Sequence, residues 1–103
     1  KGLIRTRYAK LRRQAWAAED TGRWNDAIEK WYELVALARE NKLLKEIKES
    51  EEGVEFARKV DSALRAEEDS RFETARDYWL QAHGMRPEHP LVRKAIVRLN
   101  IKP

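Results

Sequence analysis

The chain carries an internal repeat with an offset of 48 residues. Residues 18–31 (AEDTGRWNDAIEKW) return without a gap as residues 66–79 (AEEDSRFETARDYW). Alanine, glutamate, arginine, alanine and tryptophan recur at matching places, and Trp24 is matched by Phe72. The sequence therefore predicts one supersecondary unit that is used twice.

Apolar residues in each copy recur at steps of three and four, which is the period of a helix. Tyr8, Leu11, Ala15 and Ala18 follow this spacing in the first copy. No segment alternates with period two for long enough to make a strand. We therefore predict an all-α protein with a single helical domain over residues 1–103, in which repeat one is 8–55 and repeat two is 56–103.

Each repeat is predicted to be a helical hairpin followed by a short third helix, so that six helices follow a loose lead-in at residues 1–5. Such units stack as a right-handed helical repeat or pack as a small bundle. The acidic stretch 49–52 and Gly53 are interpreted as a solvated connector between the third and fourth helices. A competing interpretation fuses those two helices through Gly53, which costs roughly 1 kcal/mol relative to alanine.

Composition limits the function classes. The 103 residues carry 22 basic and 18 acidic groups, a net charge of +4, which is milder than in a dedicated nucleic-acid binder. The absence of cysteine excludes disulfides, thiolate metal sites and thiol catalysis. No apolar run approaches the roughly 18–20 residues of a membrane span. We expect a cytoplasmic protein.

The hairpin resembles the tetratricopeptide repeat, in which small residues lie between two helices and an aromatic residue lies near the start of the second. Here the small residues are the pairs Ala15 with Ala27 and Ala63 with Ala75. The aromatic residues are Trp24 and Phe72, followed by Trp31 and Trp79. We expect these four rings to pack in the core between helices rather than to form a ligand cage or a base-stacking platform, because they share helix faces with small and apolar residues. The third helical segment accounts for the extra length over the family's roughly 34-residue period.

That resemblance implies an adaptor or scaffold that binds a peptide or helix of another protein in a groove. Trp16 is central because it lies off the apolar stripe, among charged residues, where an interface anchor is usual. Packing of Trp16 against the lead-in or the neighbouring repeat is the alternative. The predicted groove consists of Arg12, Trp16, Glu19, Asp20, Val60, Leu64, Glu67 and Glu68.

A second resemblance covers about residues 7–41, where Ala-Glu, Gly-Arg-Trp, Ala and Trp follow in order. This pattern is similar to the small bacterial regulators of the PerC type and to the negative regulators of AraC-type activators. It implies action on transcription through nucleic acid or a nucleoid-associated protein. A basic cluster near the N-terminus fits phosphate contacts, although a solvated face is the alternative. The cluster comprises Arg5, Arg7, Lys10, Arg12 and Arg13.

No reaction centre is predicted. The sequence has no nucleophile–base pair, no glycine-rich phosphate loop and no metal motif, and its two histidines, His83 and His89, are too few for a metal site. We therefore expect a protein that is not an enzyme and needs no cofactor. Self-association is a further possibility, because repeat arrays need polar caps and Leu99 and Ile101 could form an uncapped edge.

Overall fold

A computed structural model describes residues 2–103, and over these residues the chain is helical, without strands. The all-α prediction is confirmed. Lys1, part of the predicted lead-in, lies outside the described residues, and the first helix already begins at Gly2, so the rest of that lead-in prediction is wrong. The five described helices are α1 (Gly2–Asp20), α2 (Trp24–Glu40), α3 (Leu44–Glu68), α4 (Phe72–Met85) and α5 (Pro90–Arg98).

The prediction of six helices is wrong, because α3 runs unbroken through Gly53. The competing interpretation, with two segments fused into one helix, is the one observed. Gly53 is buried, and a Cβ at this position would lie 2.3 Å from Cδ2 of Trp31. The glycine lowers helix propensity but lets the α3 backbone approach the indole ring closely. Packing, rather than chain reversal, explains this glycine.

The acidic stretch 49–52 is likewise not a solvated connector, since it forms the middle of α3. Ser50 is fully buried and donates its hydroxyl to the backbone oxygen of Glu46 at 2.7 Å. Glu51 pairs with Arg39 of α2, and Glu49 accepts hydrogen bonds from α1. Three of the four residues are therefore fixed by contacts within the helix or with its neighbours.

The chain divides into two compact units, the first ending at Ala57 and the second comprising Arg58–Pro103. In the first unit α1 packs against α2, and the first part of α3 joins them. Gly22 adopts φ +75°, and the Arg23 N–H donates to the Ala18 oxygen at 2.8 Å, which closes α1 with a Schellman turn. The buried apolar residues of this unit are Tyr8, Ala15, Ala18, Trp24, Ala27, Trp31, Leu34, Leu37, Ala38, Val54, Phe56 and Ala57.

The second unit contains the end of α3 together with α4 and α5. Its first turn repeats the geometry of the other unit, since Ser70 adopts φ +59° and the Arg71 N–H donates to the Ala66 oxygen at 2.8 Å. His89 caps α5 by accepting the Leu91 N–H at 3.3 Å. The buried apolar residues here are Val60, Ala63, Ala66, Ala75, Trp79, Ala82, Val92, Ala95 and Ile101.

The structure does not form the predicted uncapped apolar edge at Leu99 and Ile101. Ile101 is buried and Leu99 is half-buried, so neither side chain forms an open apolar edge. The exposed apolar side chain of α5 is Val97. None of the helices described is long and apolar enough to span a membrane.

Candidate partner-binding surface

Trp16 lies on the outward side of α1 with 42% of its surface exposed. The guanidinium carbon of Arg12, one helical turn earlier, lies 5.1 Å from the centre of the indole ring. This is the geometry of a cation–π contact. The ring is therefore covered in part by a cation from its own helix and is in part open to solvent.

Arg12 is held in place from α3. Its Nη1 lies 3.2 Å from Oε1 and 3.3 Å from Oε2 of Glu49, and the Tyr8 hydroxyl donates to the same Oε1 at 2.8 Å. Tyr8 also reaches the backbone oxygen of Glu46 at 3.1 Å. Glu49 thus positions Arg12, and Arg12 in turn orients Trp16.

Tyr8 contributes as a neutral hydrogen-bond donor. Burial of the ring, and secondly the hydrogen bond to the Glu49 carboxylate, raise the pKa of the Tyr8 phenol well above its ordinary value of 10.0. The hydroxyl therefore keeps its proton throughout the neutral range and remains a donor to the Glu49 carboxylate.

Two further residues of the predicted groove lie near the end of α1. Asp20 is exposed, as the prediction requires. Glu19 is only 4% exposed and accepts the indole N–H of Trp31 at 2.8 Å. Its carboxylate belongs to the interior of the first unit, so Glu19 cannot contact a partner as predicted.

The other four predicted groove residues belong to the second unit. Glu68 is exposed and Leu64 is half-buried. Val60 is fully buried, which removes it from any accessible surface. Glu67 accepts the indole N–H of Trp79 at 2.8 Å and is paired with Arg98 at 2.8 Å. The groove residues assigned from the resemblance therefore include some that are buried or paired within the protein and others that a partner could reach.

The two tryptophan–glutamate pairs were missed as pairs by sequence reasoning. Each glutamate precedes its tryptophan by 12 residues, in Glu19–Trp31 and again in Glu67–Trp79. A buried indole needs an acceptor for its N–H. The signal was present in the repeat itself, since both members recur at the same offset.

The predicted basic cluster separates into two groups. Arg5 and Arg12 turn toward α3, where Arg5 lies 3.3 Å from Glu46. Arg7, Lys10 and Arg13 are exposed, and within residues 2–103 they form no hydrogen bond or ion pair. At 100° per residue these three lie within a sector of about 120° on α1. They form a continuous cationic stripe beside Trp16.

The two histidines are not part of a common site. His89 accepts the cap hydrogen bond of α5, and His83 is half-buried in α4. Among the described residues no three or more histidines and carboxylates are grouped so that they could hold a metal ion.

Comparison of the chain with protein-family models, with curated proteins and with solved structures returned no match.

Proposed function

We propose that this protein is a non-enzymatic interaction module, a cytoplasmic adaptor or scaffold, which binds a peptide or helix of another protein on the outward face of α1. The observation that carries the proposal is the exposed Trp16 ring, oriented by the Arg12 guanidinium at 5.1 Å. Tryptophan and arginine are the residues most enriched among those that dominate binding energy at interfaces.

Pre-organisation supports this choice of anchor. Arg12 is already fixed by Glu49, so binding at Trp16 immobilises fewer side-chain rotamers than binding at an unsupported ring would. The open part of the indole offers an apolar contact. Arg13 and Asp20, both exposed within one turn of Trp16, offer charges of opposite sign. A partner segment with an apolar side chain flanked by both a carboxylate and a cation fits this arrangement.

The repeated architecture supports a scaffold rather than a reaction centre. Each unit holds a tryptophan in place through its own glutamate at the equivalent position. Small residues, all fully buried, lie at the equivalent positions Ala15, Ala27, Ala63 and Ala75. A repeated helical framework, as in the tetratricopeptide-like arrangement we propose, is suited to presenting an outer surface to a partner.

The test is differential affinity capture from the native host. Wild-type protein, Trp16→Ala and the matched control Leu3→Ala are immobilised and the retained proteins are identified by mass spectrometry. Leu3 is 87% exposed on the same helix, so its truncation removes apolar surface without touching the anchor. We expect a protein that the wild type and Leu3→Ala retain and Trp16→Ala loses. An identical retained set for all three contradicts the proposed site.

Arg12→Glu is a poor probe of the same surface, although it removes the stacked cation. It would set a second carboxylate against Glu49, so a loss of binding could reflect local unfolding. Arg12→Met keeps an unbranched side chain beside the ring and removes the charge together with the hydrogen bonds to Glu49, without setting a second carboxylate against it.

A second candidate function is regulation of transcription through nucleic acid or a nucleoid-associated protein. The observation that favours it is the cationic stripe of Arg7, Lys10 and Arg13, whose members form no ion pair with other described residues. If three phosphates are contacted, the logarithm of DNA affinity should fall with the logarithm of salt concentration with a slope of about −2.7.

This candidate is tested with fluorescently labelled duplex DNA. The stripe variant Arg7→Gln/Lys10→Gln/Arg13→Gln is compared with Arg76→Gln/Arg93→Gln/Lys94→Gln, which removes the same charge from the second unit. Loss confined to the stripe variant supports phosphate contact on α1. Equal loss in both variants indicates a non-specific charge effect, and no binding by wild type at about 50 mM salt contradicts direct DNA contact.

A further inference from the structure

One face of α5 packs into the second unit and another face is open. Val92 and Ala95 are fully buried, whereas Val97 is 80% exposed. The open face forms a shallow groove of about 520 Å³, which is lined by Pro90, Arg93, Lys94, Val97 and Arg98. These residues follow one stripe of the helix, at steps of three and four. The groove therefore has an apolar floor with cationic side chains along it.

The charged residues of α5 are all basic. Arg93 lies 3.8 Å from Glu88, but both side chains are largely exposed, so this pair contributes little. Arg98 donates to Glu67 at 2.8 Å, and the same carboxylate also accepts an indole N–H. Lys94 is exposed and, within residues 2–103, forms no hydrogen bond or ion pair. The cation at the middle of the groove therefore has no carboxylate of its own.

The remaining acidic residues of the second unit do not neutralise this face. Asp61 is paired with Arg65 of the same helix. The four other acidic residues are exposed, do not line the groove, and form no ion pair with a cation of α5 within the described part of the chain. They are Glu68, Asp69, Glu73 and Asp77. An incoming carboxylate therefore meets no anionic side chain in the groove.

The first unit shows how the corresponding helix face is covered. At the offset of 48 residues α5 corresponds to the first part of α3, and Lys94 takes the place of Glu46. Glu46 lies 3.3 Å from Arg5 of α1, and Glu49, about one turn later, lies 3.2 Å from Arg12. In the first unit an acidic helix face is thus covered by a basic helix.

In the second copy the sign is reversed and the charged complement is lacking. The residue that corresponds to Arg5 is Gly53, which has no side chain, so the repeat supplies Lys94 with no equivalent of the Arg5–Glu46 pair. A helix that covers α5 as α1 covers α3 would need a carboxylate where α1 has its arginine. Against Val97 it would need an apolar side chain.

We propose that the open face of α5 binds an acidic amphipathic helix of a partner protein, with carboxylates at Arg93 and Lys94 and an apolar side chain against Val97. The apolar floor favours a peptide over nucleic acid, whose phosphate backbone would leave Val97 uncovered. This site uses none of the residues of the Trp16 surface. A face of about two and a half turns belongs to the small, transient class of interfaces, and we expect a dissociation constant of about 10–100 μM.

The probe is a fluorescently labelled peptide of about 20 residues, built from glutamate, alanine and leucine, with leucine at steps of three and four. Its binding to the full chain is followed by anisotropy. We expect saturable binding that weakens about tenfold or more in Lys94→Glu and in Val97→Glu, each of which introduces the residue of the first copy. The matched control is Arg76→Glu, which makes the same charge change at an exposed residue of α4 and should leave the affinity unchanged.

Four outcomes overturn the proposal. One is the absence of saturation up to about 1 mM peptide. Another is a loss in Arg76→Glu as large as that in Lys94→Glu, or no loss in either α5 variant, since the peptide would then respond to overall charge or bind elsewhere. The third is unchanged affinity when glutamine replaces every glutamate of the peptide. The fourth is duplex DNA that displaces the peptide and itself loses affinity in Lys94→Glu, which would make the face a phosphate site. Circular dichroism of both α5 variants confirms that loss of affinity is not loss of fold.

Discussion

The indole N–H of Trp31 donates to the carboxylate of Glu19 at 2.8 Å, in the interior of the first unit. Trp79 and Glu67 repeat this contact at the same distance and the same spacing along the chain. In both units the tryptophan side chain is fully buried, and the glutamate supplies the acceptor that its N–H needs.

We predict that Glu19→Ala destabilises the protein more than Glu67→Ala. Removing Glu19 leaves the buried indole donor of Trp31 unpaired, which costs about 1–3 kcal/mol of unfolding free energy. Glu67 is less buried, so water can replace its carboxylate more easily. Urea denaturation followed by tryptophan fluorescence gives both values. Glu19→Gln retains an acceptor and should lie between Glu19→Ala and wild type; a loss as large as that of Glu19→Ala would contradict the assigned role.

Two glycines in helices should respond to alanine with opposite signs. In Gly53→Ala the new methyl group would lie 2.3 Å from the Trp31 ring, so we expect a loss of about 2 kcal/mol. In Gly84→Ala no atom lies within 4 Å of the new methyl, so we expect a gain of about 0.5 kcal/mol from helix propensity. Thermal or urea denaturation of the two variants measures both changes in the free energy of unfolding. A stabilised Gly53→Ala would show that α3 does not press against Trp31.

The free energy of unfolding should fall at alkaline pH, because the pKa of Tyr8 is higher in the folded than in the unfolded state. Burial and Glu49 raise its pKa in the folded state above the unfolded value of 10.0, so the folded state favours the protonated phenol. Its contribution is fully present below pH 10 and is lost as pH rises further, with a limiting slope of about 1.4 kcal/mol per pH unit.

The matched variant is Tyr8→Phe, which cannot ionise. We expect it to be about 1 kcal/mol less stable than wild type at pH 8, because it lacks the hydrogen bonds to Glu49 and Glu46. The difference should shrink above pH 10 as wild type is destabilised. A difference that stays constant from pH 8 to pH 11 would show that the Tyr8 pKa is not raised by folding.

Trp16 should matter little for stability, in contrast to its proposed role in binding. The cation–π contact with Arg12 is partly exposed and should contribute about 0.5–1 kcal/mol. A double-mutant cycle of Trp16→Ala and Arg12→Met measures it. A coupling energy near zero would mean that Arg12 does not orient the ring, and a Trp16→Ala loss above about 2 kcal/mol would indicate core packing instead.

The three- and four-residue spacing was enough to predict the all-α class, and together with the repeat it predicted the equivalent burial of Trp31 and Trp79, which share helix faces with Ala27 and Ala75. Gly53 was harder, since propensity treats a mid-helix glycine as a break whereas the ring of Trp31 requires it. Sequence reasoning also expected Phe72 to be buried, because it is equivalent to Trp24, but this prediction is wrong: Trp24 is 3% exposed and Phe72 is 51% exposed.

The candidate surface was predictable only in part. Trp16 was placed off the apolar stripe, with an interface anchor and packing both left open, and its side chain is 42% exposed. Glu19 and Val60 were assigned to the same surface from the resemblance, yet both are buried. A charge in a sequence signals exposure only when no buried donor within reach requires it, and the Trp31 indole is such a donor.

The central claim is that, of the four tryptophans, the buried Trp31 and Trp79 are framework residues with paired indole N–H groups, whereas the exposed Trp16 is a recognition residue. Hydrogen exchange of the assigned indole N–H groups, measured by NMR, tests this division most directly. We predict that the Trp31 and Trp79 protons exchange only with opening of the core, whereas the Trp16 proton exchanges quickly in the free protein. Slow exchange at Trp16, or fast exchange at either Trp31 or Trp79, would contradict it.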